Sequence, residues 1–389
     1  MSGRALAFCS ATAALLIAGC ATTPPGPRPG LTRIGNKPVV LPATLTGNAL
    51  IVAAKGGYHF LVDTGSSRTL VSPEFDAQWR DKNAFTWPRQ LTVTSAAGKV
   101  TTLPADTLSR LSLGGARFED VPVLVYDCSA LSEELGVKID GILGFSLFRQ
   151  IILTLDYPHS QVVLRSIASD PNVVGTSLPL IITENVPVIT VRLDQRAFNA
   201  LIDSGREAAM SVNRSEGAAG DFRFGPIDGL TVHDVVGDHR QRIGRLKGVL
   251  HLGDLAVVAP ISEITDDLSA LGGGLLKYFT VTFDQDAGRV TFDRGSPAPV
   301  TLPPVRSAGL SFSRTPAYWR VAGIVPGSPA DRGGVAEGDL VTKIGGEPVS
   351  RWTKARFDGL LVGVDQIRLT FLQGNKETEK TLAVTDLVP

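Results

Sequence analysis

The chain has 389 residues, with 38 Lys plus Arg balanced by 38 Asp plus Glu. That zero net charge removes the electrostatic case for nucleic acid or an acidic membrane surface as partner. The length suffices for two or three domains with separate cores, and 41 Gly, 25 Pro and short Val/Ile/Leu/Thr runs point to mostly β structure up to about residue 300.

Residues 1–19 read as a signal peptide. Arg4 supplies the positive end, 5–17 are apolar but too short to span a bilayer comfortably, and Ile17-Ala18-Gly19 precede Cys20. This resembles the lipobox of bacterial lipoproteins, which implies that Cys20 becomes the acylated first residue. A Pro/Gly-rich tether, TTPPGPRPG at 22–30, falls within 20–36 and suits an anchored domain. Processing removes Cys9 and lipidates Cys20, leaving Cys128 without an intramolecular disulfide partner. The expected location is the cell envelope, lipid-anchored on the periplasmic side; Ala21 after Cys20 favours the outer membrane.

Two related segments follow. FLVDTGSS at 60–67 and ALIDSGRE at 200–207 each place an Asp, a hydroxyl residue and Gly directly after an apolar run. Asp63 and Asp203 are 140 positions apart, and the preceding runs ALIVAA (49–54) and VITVRL (188–193) are offset by 139. LSLGG at 111–115 and LHLGD at 250–254 keep the 139 offset, whereas 144–164 lies without gaps over 272–292 at an offset of 128. The chain therefore contains an internal duplication of about 130 residues, with one Asp in each copy.

Asp63-Thr64-Gly65, Asp203-Ser204-Gly205, Ile142-Leu143-Gly144 and the weaker counterpart Ala270-Leu271-Gly272 together resemble the retropepsin and pepsin superfamily of aspartic peptidases, specifically bacterial retropepsin-like domains in tandem. The resemblance covers about 37–300. It implies two small β lobes, 37–170 and 171–302, forming a bilobal cleft, with catalytic Asp63 and Asp203. It also implies that Thr64 and Ser204 grip each other across the lobes, and that glycine-containing hairpins form flaps at Gly98 and Gly237.

Two carboxylates within hydrogen-bond reach share one proton, because both cannot easily ionise. The ionised member can take a proton from a water held between them while the protonated member donates to the scissile carbonyl. This chemistry needs no cofactor, no metal and no covalent intermediate. Gly65 and Gly205 let backbone N–H groups approach the carboxylates.

The second copy departs from the family pattern at Arg206-Glu207, where lobe one has Ser66-Ser67. An Arg206 pointing at the dyad favours an ionised carboxylate and a higher working pH. Facing carboxylates would support an enzyme; an Arg206–Asp203 ion pair would favour a peptide-binding lipoprotein on a decayed protease scaffold.

From 305 to 389 the texture changes. Gly309-Leu310-Ser311-Phe312, SPADRGGV at 328–335, EGDLVTKIGG at 337–346 and a helical stretch at 352–361 resemble a bacterial PDZ domain, an α/β module. Ser328-Pro329 fits a helix N-cap and first turn. The resemblance implies that Gly309, Leu310, Ser311 and Phe312 receive the C-terminal carboxylate of a peptide adding as a strand. The five His residues form no HExxH pair, and no GxSxG elbow or phosphate-cradling Gly loop is present. The expectation is a monomeric aspartic endopeptidase acting on polypeptides, mainly β, followed by a PDZ domain.

Overall fold

The computed structural model describes residues 28–389 apart from 84–88, 95–99, 170–172, 217–220 and 235–236. The expected signal peptide, Cys20 and Gly98 therefore lie outside the described residues.

The protein is mainly β, in two related lobes and a C-terminal α/β unit. Equivalent motifs of the duplication fold equivalently. Gly114, at φ +55°, turns Val100–Leu113 into Ala116–Val125, and Gly253, at φ +59°, turns Val249–Leu252 into Leu255–Val258. Both are tight two-residue hairpins, in which glycine adopts the left-handed backbone without steric cost.

The lobes share a sheet. Its strands lie in the order Thr176–Pro179, Arg289–Asp293, Thr280–Asp284, Ile151–Asp156, Gln161–Ser166 and Val39–Thr46, so that both lobes contribute to it. At its centre Thr154 pairs with Thr282, residues separated by the 128-position offset of the repeat, with their hydroxyl oxygens 3.0 Å apart. A pseudo-twofold axis thus runs between two copies of one residue. Phe283 lies in this sheet and meets Phe145 edge-on at 5.2 Å, both without solvent exposure, in an apolar core continuous through the two lobes. Phe283→Ala is expected to cost about 3–5 kcal/mol, because it opens a cavity where the lobes join. Urea unfolding checks this, and a loss below about 1 kcal/mol would contradict the shared core.

The repeat offset falls from 139 to 128, eleven residues, and the structure shows where. Lobe one inserts a helix, Ser129–Leu135, between Ala116–Val125 and Gly141–Gly144, whereas lobe two passes from Ile261–Thr265 to Ser269–Gly272 through three residues. Cys128 precedes this helix, buried and free. Burial first, then Asp127, pushes its thiol up to about 12, so it remains an unreactive thiol at neutral pH.

The C-terminal unit has its own core around Trp319, Phe357 and Phe371. Its sheet runs Leu310–Arg314, Trp319–Ile324, Leu340–Ile344, Gln366–Gln373 and Lys376–Ala383, leaving Leu310–Arg314 at an edge. Ser328 accepts a hydrogen bond from the Asp331 N–H and Pro329 opens the short helix Pro329–Arg332, as the Ser-Pro pair predicts. The helix expected at 352–361 instead spans Lys354–Gly363. Thr353 is extended and its hydroxyl accepts from the Arg356 N–H at 3.2 Å, which sets the start two residues later.

This unit rests on lobe two. Thr231, on the long strand Phe222–Asp234, donates its N–H to Ser311 at 2.9 Å and its hydroxyl to the Ala322 carbonyl at 3.0 Å. Gly229 and Gly323 permit the contact: a Cβ on Gly323 would stand 2.2 Å from the Gly229 oxygen.

Candidate active site

Each Asp ends a buried strand that lies between chain neighbours of its own lobe. His59–Asp63 pairs in parallel with Gly141–Gly144, placing Asp63 opposite Gly144; Arg196–Asp203 pairs likewise with Ser269–Gly272, placing Asp203 opposite Gly272. Both glycines are required by close approach. A Cβ on Gly144 would lie 2.3 Å from the Arg68 carbonyl oxygen, and one on Gly272 2.1 Å from that of Ala208. Ala270, the smaller counterpart of Ile142, is fully buried at the matching register position.

The two turns meet at the axis. Thr64 donates its N–H to Ser204 Oγ and its hydroxyl to the Ile202 carbonyl, at 3.0 and 2.6 Å. Ser204 reciprocates, donating its N–H to Thr64 Oγ1 and its hydroxyl to the Val62 carbonyl, at 3.0 and 2.8 Å. All four bonds are buried, where an unmade bond costs most. The sequence pairing of Thr64 with Ser204 is thus realised as a reciprocal clasp.

That clasp brings the carboxylates together. A Cβ on Gly65 would lie 2.3 Å from Asp203 Oδ1, and one on Gly205 2.4 Å from Asp63 Cγ, so each glycine leaves the space that the opposite carboxylate fills. Asp63 Oδ1 accepts from the N–H groups of Gly65 and Ser66 at 2.8 and 3.1 Å, and Asp63 also hydrogen-bonds Asp203. Burial, followed by the charge of Asp203, pushes Asp63 up to about 8. Burial and the facing charge thus favour a pair that shares one proton.

Asp203 is held differently. Its Oδ1 accepts from the Gly205 N–H at 3.2 Å, and its Oδ2 from Arg206 Nε at 3.3 Å. Arg206 also faces Glu263 at 3.6 Å and is itself mostly buried. Burial opposes its charge, but the two carboxylates outweigh burial and hold the guanidinium above its ordinary range. Facing carboxylates and the Arg206–Asp203 pair, expected as alternatives, occur together: the pair occupies one Asp203 oxygen and leaves the partner carboxyl in reach.

Several contributors carry no motif in the sequence. Glu263 lies in the unremarkable strand Ile261–Thr265. Tyr157 follows the central strand Ile151–Asp156; its buried hydroxyl has no hydrogen-bond partner among the described residues. Burial, then Asp203 and Asp63, pushes its phenol up, so it remains neutral beside the dyad. Asn48, at the tip of a lobe-one hairpin, donates to the Glu207 carbonyl at 3.0 Å and accepts from Lys277 at 3.1 Å, tying lobe one to the second Asp turn. The Gly47-Asn48 turn pair was its only sequence signal.

Of the expected flaps, Gly98 is outside the described residues. Gly237 opens the strand Gly237–Leu246 and pairs with Asp234 across the lobe-two hairpin. Gly309 turns at φ +87°, where a Cβ would meet the Ser328 hydroxyl at 2.2 Å, and Leu310, Ser311 and Phe312 run along the edge strand. The described residues contain no group of three or more His, Cys, Asp or Glu placed to hold a metal.

Residues 48–147 match the family model of an aspartyl protease, and 320–373 that of a PDZ domain. No curated relative matches the chain. Among solved structures it is similar to basic 7S globulin from soybean, at 15% identity over 68% of this chain and 98% of that chain, with a TM-score of 0.40. It is also similar to the HtrA3 PDZ domain bound to a phage-derived ligand, at 20% identity over 21% of this chain and 85% of that chain, with a TM-score of 0.19. The chain thus carries an aspartyl protease domain and, after it, a PDZ domain.

Proposed function

We propose that the protein is an aspartic endopeptidase that cleaves polypeptides with Asp63 and Asp203, and that its PDZ domain receives peptide C-termini. The observation that carries this reading is the clasped pair of facing carboxylates, one of them ion-paired with Arg206, at the junction of two lobes.

The asymmetry assigns the roles. Asp203, paired with Arg206 through Oδ2, takes a proton from a water between the carboxyls as the water oxygen bonds to the scissile carbonyl carbon. Asp63 gives its proton to the carbonyl oxygen, and a tetrahedral diol results. Asp203 then passes its proton to the amine nitrogen, the C–N bond breaks, and Asp63 recovers a proton from a diol hydroxyl as the carboxyl product forms. Protons balance and no cofactor enters.

The pH dependence follows with a definite sign. The active form needs Asp63 protonated, a state held below about 8 and lost as pH rises through it. Cleavage is expected to persist at neutral pH and to fall about tenfold for each unit well above 8. Peptide mapping by mass spectrometry on an unfolded protein mixture, from pH 4 to 10, measures this. A profile already extinguished at pH 6 would contradict the protonation assignment.

The Arg206–Asp203 ion pair supports a second reading, a peptide-binding lipoprotein that does not cut. Absence of cuts at every pH would select it. On either reading, the lipobox-like Cys20 supports a lipid anchor in the bacterial envelope, with the monomer as the working unit.

A further inference from the structure

The PDZ edge strand Leu310–Arg314 and the helix Lys354–Gly363 flank the strip where a peptide would add as a strand. Phe312 and Phe357 meet across it at 5.6 Å. A peptide whose terminus sits at Gly309 must run along this strand and leave at Arg314. One strand residue advances about 3.3 Å, so the ligand residue beside Arg314 is roughly the fourth or fifth from its end.

That exit is charged, and the protease domain fills it. Arg314 carries a guanidinium more than nine-tenths buried, which pairs with Glu134 of the lobe-one helix Ser129–Leu135; its Nε has no acceptor among the described residues. Burial holds Arg314 down to about 10, the mark of a cation whose lost hydration is poorly replaced. Lys354, at the start of the PDZ helix, pairs with Asp358 at 2.6 Å and also with Glu207. Glu207 directly follows Arg206 in the second Asp turn. Gly136 closes the same side, since a Cβ there would stand 2.5 Å from Thr353 Cγ2. The helix bearing Glu134 lies in the eleven-residue surplus of lobe one, so the element without a counterpart in lobe two is the one that reaches the PDZ exit.

We propose that the exit of the PDZ groove is an anion-accepting subsite, occupied in the free protein by Glu134 and Glu207, and that its partner is a free C-terminal peptide with an acidic side chain about four residues upstream of its terminus. The ligand carboxylate replaces Glu134 on Arg314. The exchange removes contacts between the PDZ domain and the lobe-one helix, and it loosens Lys354 from the turn that carries Asp203 and Arg206. This inference rests on the peptide-binding reading of the PDZ domain and not on cleavage.

The test is a binding measurement on the full mature chain carrying Asp63→Asn, which spares the probes from hydrolysis. The probes are fluorescein-labelled octapeptides with three random C-terminal residues, alanine elsewhere, and either Glu or Gln at the fourth and fifth places from the end. Each pool is made as free acid and as C-terminal amide. The free-acid Glu pool is expected to bind about tenfold more tightly than the Gln pool. Glu134→Gln is expected to tighten the Glu pool further by removing the internal competitor, and Arg314→Gln to abolish the discrimination. Amide exchange across 129–136 should rise when the Glu pool saturates.

Free-acid pools that bind equally would overturn the subsite while leaving peptide binding intact. Pools that bind equally as acid and amide, or not at all, would overturn both the subsite and the peptide-binding reading. If Arg314→Gln does not fold, Glu134→Gln decides alone: unchanged affinity of the Glu pool would overturn the exchange.

Discussion

Asp63→Asn and Asp203→Asn are each expected to lower peptide hydrolysis at pH 6 by at least ~10³-fold, the middle of the range for loss of a general acid or base. The two substitutions fail for different reasons. Asn at 203 cannot take the proton from water, and Asn at 63 cannot deliver one to the carbonyl oxygen. Both amides fit the space left by Gly205 and Gly65, so the lobes should remain clasped. The Asp63 substitution also carries a pH-dependent stability signature, which reports its buried, charge-facing position. Its folded carboxyl sits near 8, above the ordinary value, so its contribution is present at low pH and is lost as pH rises through 8. Asp63→Asn, which cannot ionise, should therefore be more stable than wild type at pH 8 and should lose that advantage at pH 4. Wild-type-like turnover in either variant would remove the dyad from the mechanism, whatever the stability result.

Thr64→Val is expected to destabilise the protein by about 2–5 kcal/mol, the largest effect for a substitution that alters no charge and little volume. Thr64 is wholly buried, and its hydroxyl donates to the Ile202 carbonyl while accepting the Ser204 N–H. Valine can do neither. It leaves two backbone groups of lobe two unpaired in an apolar setting, each costing roughly 1–3 kcal/mol. Thr64→Ser retains the hydroxyl and is the control. Urea unfolding monitored by tryptophan fluorescence reads the difference, with a lower midpoint and an unchanged slope expected. A Thr64→Val protein within about 0.5 kcal/mol of the Ser variant would show that the clasp contributes little to holding the lobes.

The sequence reached far into this site because the duplication leaves marks that survive divergence. Asp63 and Asp203, Thr64 and Ser204, Gly144 and Gly272 each stand in matched positions of two copies, and a twofold arrangement of such copies brings like residue to like. Even Thr154 and Thr282, which no motif singles out, pair across the axis at the repeat offset. The helix start at Lys354 was displaced by two residues because the cap is a local hydrogen bond, and hydrophobic pattern does not resolve which of Trp352 and Thr353 lies outside the helix.

Residues whose contacts join segments far apart in the chain, without a motif at either end, were not legible. Glu263 reaches Arg206 only because Ile261–Thr265 runs beside the second Asp turn through its neighbouring strands. Asn48 meets Glu207 from 159 positions away, and Glu134 meets Arg314 from another domain. Such contacts depend on how finished units dock, and docking leaves no period or triplet in the chain.

By itself, then, the sequence determined the duplication, the β character, the two Asp turns and the change to a PDZ domain, since each rests on short-range chemistry repeated at a spacing. Only the tertiary structure decided that burial and the facing Asp203 push Asp63 up, that Arg206 pairs with one Asp without separating it from the other, and that lobe one's extra helix meets Arg314 of the PDZ edge strand. Burial and the distance between charges set those outcomes, and both are properties of the packed molecule rather than of the order of its residues.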